Sequence, residues 1–376
     1  MKIGIDLLWV KVGKIGGTES YIRNLLDGFY SFANESKFSF VLFLAKDNHY
    51  SFDKYVNKSN FRKVILPVKS EKVYSRIVKE NLLLDKYVKK EQVDLMFVPV
   101  YSKPLSKNKK IPYITTIHDL QALHYPEYFS RHKYLWLKFA GKRCANTSDK
   151  IVAISNFVKK DIAEKLDIPL EKISVIYNPI TGLEKIAEFE AIKDKYDITK
   201  KGYYYTVSSL FPHKNLKTLL YVIKKLKDEN SNVPKKLLIS GVGGKSKNEI
   251  INLISKLDIE KEVILTGFIS NEERNSLYKN AKIFLFSSIF EGFGMPPIEA
   301  MILGTPVITT KLSSIHEVTQ GKAYYVEDPY NVDEWVELIK HVNENNNHKT
   351  ETFKEYELKN ITNQYLNLFK EMANNK

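Results

Sequence analysis

The sequence predicts an α/β protein built from two doubly wound domains, and three observations lead there. Short apolar runs of strand length alternate with amphipathic stretches along most of the 376 residues, the pattern left by repeated β-α units around parallel sheets. The strand candidates fall into two sets of similar length, separated by an Asn178-Pro179 turn and a charged stretch at 181–201. A hydrophobic content of 43% in a chain this long is enough to fill two ordinary cores.

In the first set the strand candidates are 2–7, 38–44, 64–68, 95–98, 113–117 and 150–154, each a run dominated by Val, Ile, Leu, Phe or Tyr. Gly16-Gly17-Thr18 follows the first of them and precedes an amphipathic segment at 21–29. The second set comprises 203–208, 236–240, 263–266, 283–286, 306–309 and 323–326, with helical patterns between them at 216–226, 248–256 and 271–280. A last amphipathic stretch, 353–372, comes after the second sheet is complete and reads as a terminal brace. The expected division is a first domain over 1–180, a linker over 181–201, a second domain over 202–352 and a terminal helix over 353–376. The cleft between two such domains is the expected ligand site.

Charge is unevenly spread. Residues 1–150 carry 27 lysines and arginines against 14 acids, whereas residues 151–376 carry 31 against 30, which together give the net +14. A basic half suits a polyanionic partner: nucleic acid, acidic lipid headgroups or a phosphorylated substrate. Solvated lysines kept for solubility explain the same numbers. A single cysteine, Cys144, excludes an internal disulfide. The start Met1-Lys2-Ile3-Gly4-Ile5-Asp6 lacks the basic and long apolar regions of a signal peptide, and no apolar stretch has the length of a membrane span. The expectation is a cytoplasmic protein, soluble or peripheral on the inner membrane face.

The most informative segment is Ser287-Ser288-Ile289-Phe290-Glu291-Gly292-Phe293-Gly294-Met295-Pro296-Pro297-Ile298-Glu299-Ala300-Met301. Its two carboxylates stand eight positions apart across a Gly-rich turn and a proline pair. Proline suits the first turn of a helix and not its interior, so one helix cannot run through both acids. Glu291 is expected at the carboxyl end of a strand, and Glu299 in the first turn of the next helix. That edge of an open α/β sheet is where ligands bind, and a helix N-terminus there favours phosphate. A ligand carrying both hydroxyls and phosphates fits, and a nucleotide sugar is such a ligand.

Other motifs carry less. Ser208-Ser209-Leu210-Phe211-Pro212-His213-Lys214-Asn215 follows the first strand of the second set, placing Lys214 where it can neutralise a departing diphosphate or simply precede a helix. Thr115-Thr116-Ile117-His118-Asp119 puts His118 at a strand end beside an acid, whereas His124 and His132 read as surface or packing residues. Gly16-Gly17 lets backbone approach a ligand or merely makes a turn. Gly241-Val242-Gly243-Gly244, followed by Lys245-Ser246, lacks the full dinucleotide fingerprint, which argues against a redox cofactor. The stretch 131–143 mixes basic and aromatic residues at helical spacing. It suits either an anionic membrane surface or a core face built on Leu135, Trp136 and Phe139, with the core face favoured, and 72–91 raises the same alternatives.

Taken together, these residues resemble the retaining glycosyltransferases of family 4, which have the GT-B fold of two Rossmann-like domains. The resemblance rests on Glu291…Glu299 with Gly304-Thr305-Pro306-Val307-Ile308, the Gly16-Gly17 loop and Ile117-His118-Asp119-Leu120 with Tyr125-Pro126-Glu127-Tyr128-Phe129. Ile154-Ser155-Asn156-Phe157, Pro212-His213-Lys214-Asn215, Gly267-Phe268-Ile269 and Val326-Glu327-Asp328-Pro329 complete it. The His-Asp-Leu region is most similar to the bacterial mannosyl- and rhamnosyltransferase-like branch that builds surface polysaccharides. The resemblance implies that Glu299 holds the ribose hydroxyls, and that Glu291 with the backbone of Gly292, Phe293 and Gly294 grips the donor sugar. It further implies that Lys214 binds the diphosphate, that Phe268 and Ile269 meet the base through backbone, and that His118 contacts the sugar. Gly16 and Gly17 would leave room near the phosphates or acceptor, and the last helix would cross back to the first domain. Two departures stand out: Ser209 occupies the position where the family usually has Arg, and Asn178-Pro179 replaces the usual Asn-Gly.

The expected activity is transfer of a hexose, mannose- or rhamnose-like, from a nucleoside-diphosphate sugar to a saccharide or lipid-linked saccharide acceptor with retention. No Asp-x-Asp motif stands at a strand end, so neither a divalent metal nor any other cofactor is expected. The alternatives are a GT-B nucleotide-sugar epimerase, a catalytically silent sugar-nucleotide binder and a nucleic-acid-binding protein using the basic half. Salt dependence separates the last, since polynucleotide binding falls steeply with salt. Nucleic acid is not the expected partner; an anionic membrane meeting the basic half is.

Overall fold

The computed structural model describes residues 1–14, 16–101, 104, 111–243, 247–344 and 349–374. The chain forms two compact units, Met1–Pro179 with Glu355–Lys376, and Ile180–Lys354.

In the first unit the elements run β1 (Lys2–Asp6), α1 (Gly17–Phe32), β2 (Ser39–Ala45), β3 (Phe61–Leu66), α2 (Val73–Lys90), β4 (Leu95–Val98) and β5 (Tyr113–Ile117). They continue with α3 (Gln121–His124), α4 (Arg131–Thr147), β6 (Lys150–Ala153), α5 (Asn156–Leu166) and β7 (Ile173–Val175). Among the described residues the sheet order is β3-β2-β1-β4-β5-β6-β7 and every pairing is parallel. All strands therefore end on one edge, and their near-continuous apolar runs reflect burial on both faces. The three-residue strand β7 is absent from the sequence expectation.

The second unit opens with α6 (Phe189–Tyr196), β8 (Tyr203–Val207), α7 (Leu216–Asp228), β9 (Lys236–Ser240), α8 (Lys247–Lys256) and β10 (Val263–Gly267). There follow α9 (Asn271–Asn280), β11 (Ile283–Phe286), α10 (Met295–Ile302), β12 (Val307–Thr310), α11 (Ile315–Val318), β13 (Tyr324–Val326) and α12 (Val332–Glu344). Its sheet, again parallel, has the order β10-β9-β8-β11-β12-β13. The order reverses between β8 and β11, which is where a doubly wound sheet opens a crevice at its carboxyl edge. The stretch read as a linker is structured: α6 buries Phe189, Ile192 and Tyr196 within this unit.

The closing helix α13 (Leu358–Asn374) belongs to the first unit. It packs on α1, burying Ile361, Tyr365, Leu366 and Phe369 in the same cluster as Tyr21, Leu25 and Phe29. Gly28 is what allows the approach, since a Cβ there would lie 2.1 Å from the Thr362 hydroxyl.

The core face favoured for 131–143 does not form. Helix α4 packs through its second half, burying Gly141, Cys144 and Ala145. Leu135, Trp136 and Phe139 stay exposed, Phe139 by 65%. Helix α2 divides in the same way: Leu84 and Val88 are buried, whereas Tyr74, Val78 and Leu82 face solvent. No helix of the described residues is long and apolar enough to cross a membrane.

Candidate active site

The loops after β8 and β11 meet at the carboxyl edge of the second sheet. Pro212–Lys214 forms a single tight helical turn, and Asn215 follows at φ 50° as the residue before α7. Asn215 tolerates that left-handed conformation because its side chain is held at both ends: it donates to the Pro329 carbonyl (2.9 Å) and accepts from the Thr218 hydroxyl (2.8 Å). The β11 loop is then stitched to this turn. Ser287 Oγ donates to the carbonyls of Lys214 and Asn215 (2.9 and 3.0 Å), Ser288 Oγ to that of His213 (3.3 Å), and the Ile289 amide to the same carbonyl (2.8 Å).

The result is a direct ion pair, Lys214 Nζ to Glu291 Oε1 at 2.6 Å, with both side chains mostly enclosed. From the other side, the Glu291 amide donates to Ser313 Oγ (2.9 Å), and Ser314 Oγ donates to the Glu291 and Phe293 carbonyls (2.9 Å each). Glu291 thus lies in the loop five residues beyond the last residue of β11, not on the strand end itself, because the strand stops pairing at Phe286. Beneath the pair, the buried His213 ring stacks on Phe211. Burial, reinforced by the Lys214 charge, pushes its pKa down to about 4, so the ring is neutral.

Helix α10 starts at Met295, with Pro296 and Pro297 in its first turn, where a missing N–H costs nothing. Gly294 precedes it at φ 92°, a conformation that favours glycine. Glu299 consequently falls in the second turn of α10 and not the first. The residue is 8% exposed, and its carboxylate receives the Tyr278 hydroxyl on Oε2 (3.0 Å) and has Arg274 Nη2 at 3.7 Å from Oε1. Burial beside this carboxylate holds the Tyr278 hydroxyl far from ionising, so it acts as donor.

The remaining second-unit positions lie on the same edge. Gly292 and Phe293 are buried in the β11 loop, Ser209 and Ile269 are half-buried, and Phe268 is exposed. The Phe268 ring lies over Gly243, where a Cβ would come within 2.8 Å of it. Gly244, Lys245 and Ser246 fall outside the described residues.

In the first unit, His118 directly follows β5. Its Nε2 faces the Pro99 carbonyl at 2.9 Å, and a carbonyl only accepts, so Nε2 carries the hydrogen and Nδ1 is the acceptor. Burial lowers its pKa to about 4. Tyr21 meets the ring edge-on at 4.7 Å and hydrogen-bonds Thr116 (3.0 Å) and Tyr365 (2.5 Å). Gly16 caps α1 at φ 56° and Gly17 begins it; both are exposed. The nearby turn is fixed by Glu19, which accepts from the Gly13 amide (2.8 Å) and Arg23 Nε (2.9 Å). His124 pairs with buried Asp161 at 2.7 Å, a structural partnership within the first unit.

Arg274, Tyr278, Ser313 and Ser314 are the residues that sequence reasoning passes over. Arg274 and Tyr278 are spaced i, i+4 on one predicted helix, which marks them as neighbours. Nothing in that spacing says that Glu299, on another helix, is their partner.

Residues 15–181 match the family model described as Glycosyltransferase Family 4, and residues 188–359 match Glycosyl transferases group 1. The O-antigen chain mannosyltransferase RfbU of Salmonella typhimurium is 31% identical over 241 residues, 64% of this chain. That match spans 62% of the relative's own length. Among solved structures, sucrose-phosphate synthase from Thermosynechococcus elongatus superposes with a TM-score of 0.78 at 16% identity, covering all of both chains. Anabaena HepE in complex with UDP and glucose gives 0.72 at 17% identity, covering 99% of this chain and 100% of that one.

Proposed function

From the premise that this chain belongs to the family 4, group 1 glycosyltransferases with the GT-B fold, we propose that it transfers a hexosyl residue from a nucleoside-diphosphate sugar to a saccharide acceptor in bacterial surface polysaccharide synthesis. The observation that carries this is the Lys214–Glu291 pair set against the N-terminal end of α10, with Glu299 one turn along the same helix. A cation and amides suited to a diphosphate thus stand next to carboxylates suited to sugar and ribose hydroxyls. The mannosyltransferase relative favours a mannose-like donor.

In this proposal Glu299 accepts from the ribose and Glu291 from hydroxyls of the transferred sugar. Gly292, Phe293 and Gly294 surround that sugar, and Phe268 and Ile269 border the base. Lys214, shared between Glu291 and the diphosphate, stabilises the charge that grows as the bond to the anomeric carbon breaks. Ser209 adds a hydrogen bond without charge. The departing phosphate takes the acceptor's proton on the face it leaves, which retains configuration and requires no metal ion. Neutral His118 offers Nδ1 to a donor-sugar hydroxyl, and Gly16 and Gly17 leave space for the acceptor or the phosphates.

The proposed acceptor is lipid-linked and meets the first unit at an anionic membrane. Support comes from α4, which exposes Leu135, Trp136 and Phe139 beside Arg131, Lys133, Lys138 and Lys142 and contains no acid, and from Tyr74, Val78 and Leu82 on α2. Apolar side chains among cations are what an interfacial helix presents to anionic headgroups.

Thermal stabilisation by UDP-, GDP- and dTDP-sugars, followed by transfer assays in EDTA, tests the activity. One donor class is expected to stabilise the protein and support transfer. Glu299→Gln is expected to weaken nucleotide binding about tenfold, the worth of one hydrogen bond to a charged group, while Glu291→Gln lowers mainly turnover. Equal loss of donor binding in both variants contradicts the division of roles. The absence of binding to any nucleotide sugar removes the proposal.

A further inference from the structure

Glu299 is not held by α10 alone. Helix α9 leaves the carboxyl edge of the sheet just after β10, so Arg274, in its first turn, lies nearer that edge than Tyr278, one turn deeper. The two side chains take separate oxygens of the carboxylate: Tyr278 donates to Oε2 at 3.0 Å, and Arg274 Nη2 stands 3.7 Å from Oε1. The Arg274 side chain is 26% exposed and that of Glu299 11%. Arg274 Nε is buried with no hydrogen-bond partner among the described residues, so the guanidinium is committed to this place without being saturated by protein acceptors. An arginine buried with no local role would leave its fork in water.

Arg274 sets a positive charge against one oxygen of the Glu299 carboxylate, and charge-assisted hydrogen bonds are the stronger ones for binding hydroxyl groups. A hydrogen bond on one oxygen and an ion-pair contact on the other disfavour rotation of the carboxylate, which gives its remaining lone pairs a preferred direction. We propose that Arg274 is a positioning residue that fixes Glu299, with Tyr278, in the orientation that reads the ribose 2′- and 3′-hydroxyls of the donor nucleotide. Arg274 thereby returns a cation to a site whose Ser209 supplies none, at the nucleoside end and not the diphosphate end. This rests on the nucleotide-sugar reading above.

The probes are UDP and GDP together with their 2′-deoxy forms, titrated calorimetrically against the full chain. Whichever ribonucleotide binds the wild type should bind about tenfold more tightly than its 2′-deoxy counterpart, the value of a hydrogen bond to a charged acceptor. In Arg274→Met this preference should collapse to about twofold or less. Arg274→Lys, which keeps the charge without the planar fork, should retain a preference of about threefold. A general structural defect weakens both nucleotides alike and leaves their ratio alone. A tenfold preference surviving in Arg274→Met overturns the proposal, and if that variant does not fold, a tenfold preference surviving in Arg274→Lys does the same. A wild type that binds ribo- and deoxynucleotide equally also overturns it while leaving the transferase reading standing. A wild type that binds dTDP alone overturns it in the same way, and one that binds none of UDP, GDP and dTDP brings down both.

Discussion

Two neutral histidines make the protein's acid sensitivity a matter of single residues. His118 and His213 each titrate near pH 4 in the folded chain because burial disfavours the charged ring, whereas an unfolded histidine titrates near 6.5. Between those values the unfolded state binds more protons, so stability falls as pH drops from about 6.5 toward 4. Asp6, raised to about 6 by burial at the end of β1, acts in the opposite direction as its native form takes up a proton. His118→Gln, whose amide can still donate toward the Pro99 carbonyl, should remove up to about 3 kcal/mol of the loss between pH 7 and 4.5. Urea titrations of both proteins at the two pH values measure the difference, and an unchanged gap would contradict a neutral His118. The sequence placed this histidine correctly at a strand end. Its neutrality depends on Pro99 and Tyr21 closing around it, and no local pattern encodes that.

At the scale of elements, the contact between α1 and α13 has the least tolerance. The Cβ of Gly28→Ala would press on Thr362 Oγ1 and lie 3.0 Å from Leu358 Cδ1. The substitution should destabilise the first unit by about 1–3 kcal/mol, the usual cost of overpacking. Adding Thr362→Ala clears the hydroxyl and should recover about half of that loss, so a thermal-melt cycle reads the coupling directly. Additive effects would show that the helices are not pressed together there. Strands of four or more residues were legible in the sequence, since Tyr113–Ile117, Lys236–Ser240 and Ile283–Phe286 match their apolar runs. So was α9, whose Ser270 cap accepts the Glu273 amide at 3.1 Å. The start of α10 was misjudged by one turn because Pro296 and Pro297 sit inside the helix and do not precede it. Helix α4 misled because the spacing of Leu135, Trp136 and Phe139 marks a face and does not say what covers it.

At the scale of the molecule, the two-sheet α/β architecture follows from alternation alone, and the carboxylates Glu291 and Glu299 from one motif. The Arg274–Glu299–Tyr278 cluster did not follow, because it joins two helices that only the folded sheet brings side by side. The exposed aromatic and basic residues of α4 belong to this scale as well, since they matter only as a surface. Flotation with vesicles rich in phosphatidylglycerol should carry the wild type upward, and Trp136→Ser with Phe139→Ser should cut recovery several-fold. Salt should weaken binding further, because surface charges are screened within about 10 Å at 0.1 M. Indifference to lipid charge and to both substitutions would dismiss the membrane proposal.

The hydroxyl of Tyr21 meets that of Tyr365, 344 residues further along the chain. A ribosome makes Tyr21 well before Tyr365, and in the interval Thr116 and Phe40 are there to partner Tyr21 and Phe29 while the contacts of α1 with α13 are still unmade. The second unit, wholly contained in Ile180–Lys354, has all of its strands before the first unit has its last helix. Order of synthesis and order of completion are therefore reversed: the half that emerges first is finished last. During translation the part of α1 that awaits α13 is transiently exposed apolar surface, the kind that makes partly folded chains prone to aggregate.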